Sequence, residues 1–488
     1  GAVPDDIWAD LVAKGNTDDA PMGLGSPLTI HISKAAAGDY MDIDNVRLIA
    51  TPLTIVEPTP ATPISVFLLG GQSNMQGVGR KSKLAPLGLT EIPEVLLYHS
   101  NGISSTGGAN NLITVRANGF DGSSFGPEIG FADSLRDLLP GQKICLIKHA
   151  AGGTSLQVKW NPGSDNEDTG NFGVEYNTFV NTVEGGLAAL RAAGYEPKIK
   201  GMIWQQGEQD SKEGVGTSGD GNATSADDYG ANLKAFVGRV RGQFAADLAP
   251  AGLRFILGQV TPYYPNGGTL AGDPPTTPAV YPGRDKIRLA QLNADEESGE
   301  LLSIYNTATV PTNDTEFQVH AQEVDGYRDT DEAHFIGESL LLLGERMSYG
   351  MLNLEPMSYQ QWSTDKGLVG GADDDDDNDT RTNFNEFAEG SDPLDSSSVG
   401  GPKLMLFNSD DDSFIGIEFK RDLNALGVDY TPEYSEDLVT WNVDGTPVLV
   451  DSVRDEDDVA TLRYRASSFI GESDVLRMFL RVRVVANP

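Results

Sequence analysis

An aspartate and a histidine stand three positions apart in DTDEAHF, as Asp331 and His334. Far upstream, GGQSN sets Ser73 between two amide side chains. Serine is a poor nucleophile unless a base takes its proton, and a histidine oriented by a carboxylate is such a base. In this reading Ser73 attacks, His334 takes and returns the proton, and Asp331 orients the imidazole. The oxyanion that develops needs preorganised donors. HAAGGTSL offers the N–H of Gly152 or Gly153, WQQGEQD offers the amide of Gln206, and Ser73 offers its own N–H. The other reading of Ser73 is a helix N-cap, a position serine favours. The G-x-S-x-G elbow is excluded, because it needs glycine two residues after the serine and Met75 stands there.

These residues need elements that bring them together. Each of the first three follows a short apolar run, and ISVFLLG before Ser73 is β-rich without alternation, as a strand covered on both faces is. The expected strands are ISVFLLG, KICLIKHA, IKGMIWQQ, LRFILGQV and LLSIYNT. Between them, FGPEIGFADSLRDLLP, VNTVEGGLAALRAAG and DDYGANLKAFVGRVRGQFAAD carry apolar residues at helical spacing. Such alternation predicts an α/β fold, a parallel sheet with helices on both sides, with ligands beyond the carboxyl ends of the strands.

Four further segments flank or follow this unit. Residues 1–50 carry strand-like pieces that resemble the closing strands of a jelly-roll module, and 51–63 read as a stiff Pro/Thr linker. The α/β domain is expected over 64–355. An acidic linker follows over 356–400, and 401–488 reads as short alternating strands of a small all-β sandwich. Within the linker, Asp375, Asp377, Asp379, Asn383 and Glu386 stand at positions 1, 3, 5, 9 and 12 of a calcium loop. Position 6 is Thr380, where such loops want glycine. A solvated acidic linker is the alternative. A bound Ca²⁺ here would be structural, stiffening the joint, and would suit an extracellular setting.

Composition narrows the partners. With 35 basic and 72 acidic residues the net charge is −37, which repels nucleic acid and anionic membranes. No apolar stretch is long enough for a membrane span. The only cysteine, Cys145, lies in an apolar run and reads as a buried small hydrophobe. The chain opens on GAVPDD with neither an initiating methionine nor a signal peptide, which reads as a processed or truncated chain.

GQSN, a GGT element, a WxQGE element and DxxH, in that order, resemble the SGNH-type esterase superfamily. More narrowly they are similar to its sialate O-acetylesterase and plant-type acetylxylan esterase branch, which the FGPEIGFA segment with Glu128 also fits. The likeness runs from residue 64 to 350. It implies a three-layer α/β/α, flavodoxin-like sheet and a serine carbohydrate O-acetylesterase that needs no cofactor. Ser73, Asp331 and His334 inherit the triad, and Gln206 stands where most SGNH enzymes have asparagine. A lipase-like or thioester hydrolase on the same scaffold is the alternative, and a non-catalytic carbohydrate-binding protein a further one. Gln72, His149, Trp160 and Glu208 are the candidate substrate contacts. His149 could equally be a structural histidine, and packing is the stronger reading for Trp160, Tyr263 and Tyr264. Glu208 and Asp210, flanking Gln206, read as acceptors that hold a loop. His320 either meets substrate or caps a loop, while His31 and His99 read as structural or surface groups. The acidic loop and the stretch YSEDLVTWN resemble linkers and β-modules of secreted bacterial enzymes, where such a module binds polysaccharide, anchors the enzyme or stabilises it. The expected setting is therefore secreted or periplasmic, in polysaccharide degradation.

Overall fold

The computed structural model describes residues 61–100, 108–119, 122–164, 169–214, 220–262, 281–312, 316–319, 333–398, 400–409, 412–435, 438–441, 447–467 and 479–486. The expected β segment 1–50 and most of the linker 51–63 lie outside them. So do Asp331, His320, His31, Tyr263 and Tyr264.

The first half of the α/β unit runs β1 (Thr62–Gly71), α1 (Ser73–Gln76), β2 (Gly79–Arg80), β3 (Glu91–His99), β4 (Ile113–Arg116), β5 (Ser124–Phe125), α2 (Glu128–Leu138) and β6 (Ile144–Ala150). The second half runs α3 (Val174–Ala192), β7 (Tyr195–Gln205), α4 (Tyr229–Gln243), β8 (Arg254–Gly258), α5 (Arg284–Asn293), β9 (Thr307–Val310) and α6 (Gly337–Leu352). Seven strands form one sheet in the order β4-β3-β6-β1-β7-β8-β9, parallel except for β4. Alternate residues of β1 feed two cores. Ile64, Val66 and Leu68 join the layer of α3 and α4, while Phe67 and Leu69 join that of α2 and α6. All five are buried, and each such side chain contributes about 1.5–3 kcal/mol. That two-sided burial is why the run lacks alternation.

β1 sits between β6 and β7, where the strand order reverses. A crevice opens at such a reversal beyond the strand ends. Gly71 ends β1 with φ +146°, and a Cβ there would lie 2.1 Å from the Gln205 carbonyl oxygen. The close approach of β1 to β7 therefore demands glycine.

One expected strand is displaced. LLSIYNT is mostly turn, and the strand begins at Thr307. Leu301 is 91 % exposed, which a strand buried on both faces would not allow. The helices α5 and α6 and the strand β3 were not among the expected elements.

The acidic stretch carries two short helices, α7 (Tyr359–Lys366) and α8 (Asn383–Glu389). Trp362 and Phe387 pack with Ala388 and Val428, so sparse apolar residues concentrate on one seam. Beyond it, β10 (Lys403–Ser409), β11 (Asp412–Asp422), β12 (Val428–Ser435), β13 (Val448–Arg454), β14 (Val459–Arg465) and β15 (Phe479–Ala486) form two antiparallel sheets. Their orders are β10-β11-β14-β13 and β12-β15, and the rings of Phe419 and Tyr430 stack between them at 6.4 Å. The module docks through Leu423 and Ala460 against Leu138 and Leu354, beside Arg421, which donates to the Asp137 carbonyl at 3.0 Å. No helix among the described residues is long and apolar enough to cross a membrane.

Candidate active site

Ser73 is the first residue of α1, a single turn set directly on the end of β1. The N-cap is Gln72, with no side-chain capping bond, so the hydroxyl of Ser73 is not spent on a cap. It lies 2.7 Å from His334 Nε2, across 261 positions of chain. Both line a cavity of about 280 Å³ with Gln76, Gly152, Glu208 and Lys212. An imidazole nitrogen at this distance can accept the hydroxyl proton.

Asn74 holds the histidine in place. Its Nδ2 donates to the Ala333 carbonyl at 3.1 Å, and its Oδ1 accepts from the Phe335 N–H at 3.1 Å. The peptides on either side of His334 are thus pinned to the residue after the serine. Asn74 Nδ2 also donates to Glu208 Oε1 at 2.6 Å, while Glu208 Oε2 is buried without a hydrogen-bond partner. Burial pushes the Glu208 carboxyl above its ordinary range, opposed by its hydrogen bonds and by nearby His334 and Arg284.

The glycine turn after β6 lies beside Ser73. The Gly152 N–H donates to Gln76 Oε1 at 2.9 Å. Gly153 has φ +70° and open space where a side chain would begin. Trp160 pins the turn from behind, its Nε1 donating to Thr154 Oγ1 at 3.0 Å.

The loop after β7 is tied to the other two. Gln72 Oε1 accepts from the Gln209 N–H at 3.1 Å and the Gly207 N–H at 3.3 Å. Gln206 is wholly buried. Its Nε2 lies 2.6 Å from Asp210 Oδ2 and 3.0 Å from the Thr154 carbonyl. Asp210 also accepts from the Leu156 N–H at 2.8 Å and the Gln157 N–H at 3.2 Å. Its carboxyl is pushed up to about 7, by burial above all.

Beneath the turn lies a wholly buried ion pair, Lys148 Nζ to Glu128 Oε2 at 2.9 Å. Lys148 also donates to the Gln76 carbonyl at 3.1 Å and the Asn118 carbonyl at 3.0 Å. Burial lowers the Lys148 ammonium, and Glu128 opposes that. The pair stiffens the floor under α1.

The structure therefore brings together Ser73, His334, Gly152, Gly153, Gln72 and Glu208 at one cavity. Asp331 lies outside the described residues. Gln206 sits behind the cavity wall, its amide engaged with acceptors there, so the geometry makes it a brace between loops rather than an exposed donor. Two expected substrate contacts lie in the core. Trp160 is fully buried, edge-on to Trp204 at 4.9 Å. His149 is 4 % exposed, between Ser100 Oγ at 2.7 Å and Glu175 Oε2 at 3.0 Å. His149, inside β6, reaches Glu175 at the start of α3, and Trp160, in the turn region after β6, packs into the core of α3 and α4. Sequence reasoning missed Asn74 and Gln76, though both sit in or beside GQSN, and Lys212, which carries no motif.

A family model described as carbohydrate esterase, sialic acid-specific acetylesterase, matches residues 63–353. No curated protein matches the chain. Among solved structures, NanS aligns at 15% identity and TM-score 0.41, covering 63% of this chain and 99% of that one. A putative GDSL-like lipase from Parabacteroides merdae aligns at 12% identity and TM-score 0.31, covering 60% and 98%. Axe2, an acetylxylan esterase from Geobacillus stearothermophilus, aligns at 14% identity and TM-score 0.27, covering 60% and 96%.

Proposed function

The chain belongs to the carbohydrate esterase family of sialic acid-specific acetylesterases, a family of carboxylic ester hydrolases, and on that premise we propose that it removes acetyl groups from acetylated poly- or oligosaccharides through an acetyl-Ser73 intermediate. Ser73 Oγ attacks the acetyl carbonyl while its proton passes to His334 Nε2. The C–O bond to the sugar breaks, and the imidazolium returns the proton to the departing hydroxyl. Water then attacks the acetyl carbon as His334 takes its proton, the bond from that carbon to Ser73 Oγ breaks, and the imidazolium returns the proton to Ser73 as acetate leaves. Asp331 is the carboxylate assigned to orient the imidazole. The Ser73 and Gly153 N–H groups are the donors assigned to the developing oxyanion, since the Gly152 N–H is engaged with Gln76 Oε1.

The observation that carries this reading is the 2.7 Å contact of Ser73 Oγ with His334 Nε2 at the mouth of a cavity. The lining favours a sugar ester over a fatty one. Among the described residues Gln72, Gln76, Glu208, Gln209 and Lys212 supply polar groups, and the apolar wall is Val78, Ala333 and the ring of Tyr281, an aromatic face that suits a sugar ring. A fatty chain would need a longer apolar wall. The same reading sets the enzyme outside a bacterial cell, where acetylated polymers are met, with the β-module as a polysaccharide or surface anchor.

The test is hydrolysis of p-nitrophenyl esters from acetate to octanoate, followed by acetate release from acetylated xylan, pectin and sialosides. Turnover should be highest on acetate and fall about 10²-fold or more in Ser73→Ala and His334→Ala, with folding intact. Full turnover in either variant overturns the assignment. A preference for octanoate overturns the carbohydrate reading.

A further inference from the structure

The joint between the α/β unit and the β-module holds acids that the esterase chemistry does not use. Asp375, Asp377 and Asp379 each bring a carboxylate oxygen within 4.8 Å of the others. Alone, three half-exposed acids on a surface loop mean little. Glu386 changes this. It lies on α8, is wholly buried, and its Oε2 has no hydrogen-bond partner. Asp377 Oδ2 and Asp379 Oδ2 are likewise buried without one. Asp377 and Asp379 face the Glu386 carboxylate with like charge. Among the described residues no lysine or arginine pairs with these four acids. The nearby Arg381 pairs with Glu389 instead. Three buried carboxylate oxygens without partners, on acids close enough to repel one another, are a costly arrangement that a cation would relieve.

We propose that Asp375, Asp377, Asp379 and Glu386 hold one divalent calcium ion at this joint. The donors are hard oxygens from one loop plus one helix, a set that suits Ca²⁺ better than the smaller, octahedral Mg²⁺. The backbone makes the loop's sharp turn without glycine, since Thr380 adopts φ +82°. The ninth position does not join. Asn383 Nδ2 donates to the Gly371 carbonyl at 3.0 Å, and its Oδ1 accepts from the Asp376 N–H at 3.3 Å. Asn383 therefore ties the two ends of the loop together and is not a ligand, contrary to the spacing. The ion's role is structural. Phe387, next to Glu386, packs on Trp362, and the Ala388 carbonyl accepts from the Tyr430 hydroxyl of the β-module. Fixing Glu386 fixes the helix on which both sides of the joint rest.

The experiment uses the full chain stripped with chelator, titrated with CaCl₂ or MgCl₂ by calorimetry and followed by thermal melting. One calcium should bind with Kd of about a millimolar or tighter and raise Tm. Glu386→Gln and Asp377→Asn should each weaken calcium binding at least tenfold. Asp373→Asn, which removes a neighbouring exposed acid, should leave it within twofold. Turnover of p-nitrophenyl acetate at 25 °C should be the same with and without calcium. Absence of binding heat and of a Tm shift overturns the site. So does Glu386→Gln binding as tightly as the parent, or magnesium matching calcium in both readouts.

Discussion

Asn74 Nδ2 donates to Glu208 Oε1 at 2.6 Å, joining the turn after β1 to the loop after β7. Through its other bonds the same amide grips both peptides flanking His334. One side chain therefore sets the distance between Ser73 and His334, and Glu208 sets the orientation of that side chain.

Asn74→Ala should release the His334 loop while sparing the sheet. A displacement of about 1 Å at reacting atoms costs on the order of a hundredfold. We expect kcat on p-nitrophenyl acetate to fall roughly tenfold to a hundredfold with little change in KM. Glu208→Gln, which keeps an acceptor for Asn74, should lose less. Steady-state kinetics on both variants decides, and an unchanged kcat in Asn74→Ala refutes the grip.

The two adjacent glycines should separate by substitution. A Cβ on Gly152 would meet Gln76 Oε1 at 3.1 Å and Ser73 Cβ at 3.6 Å, at the cavity that Ser73 and His334 line. Gly152→Ala should therefore lower kcat by roughly tenfold or more, with a modest change in Tm. Gly153→Ala meets no atom but must hold φ +70°. It should cost about 1–2 kcal/mol of stability and leave kcat nearer the parent value. Melting and kinetics on the pair give the comparison, and identical behaviour would refute the distinction.

Removing one partner of the Lys148–Glu128 pair leaves a buried charge unpaired. Lys148→Met should destabilise by about 3–5 kcal/mol, and the double change Lys148→Met with Glu128→Leu by less. Denaturant midpoints test this. A single variant as stable as the parent would show that the pair is dispensable.

Asp210 should give stability a pH dependence. Its folded carboxyl is raised to about 7, above the unfolded range. The folded state therefore holds a proton that the unfolded state has released, and stability is lost as pH rises from about 4 through about 7. Asp210→Asn carries no such proton. Relative to the parent, its Tm should improve as pH goes from 5 to 8. A gap between the two that does not vary with pH contradicts the shift.

Much of the fold was legible in the residues. The run ISVFLLG is apolar at every position that packs, because β1 is covered on both faces, and GGQSN marks the strand's end because Gly71 must pass against Gln205. LLSIYNT misled because a short apolar run looks alike in a buried strand and in a turn whose leucine faces water. The spacing read as a calcium loop put Asn383 among five ligands, and in the structure its amide bonds the Gly371 carbonyl and the Asp376 N–H instead.

The amino-acid sequence alone determined the alternation of strands and helices around β1, β6, β7 and β8 and which residue types stand at their ends, since these depend on local spacing and burial pattern. Only the tertiary structure decided what each polar side chain does. Ser73 and His334 lie 261 positions apart, and Asn74 and Glu208 lie 134 apart. Trp160 and His149 turned inward while Glu208 turned to the cavity. A buried donor or acceptor takes whichever partner the packed neighbours present, and those neighbours come from distant parts of the chain.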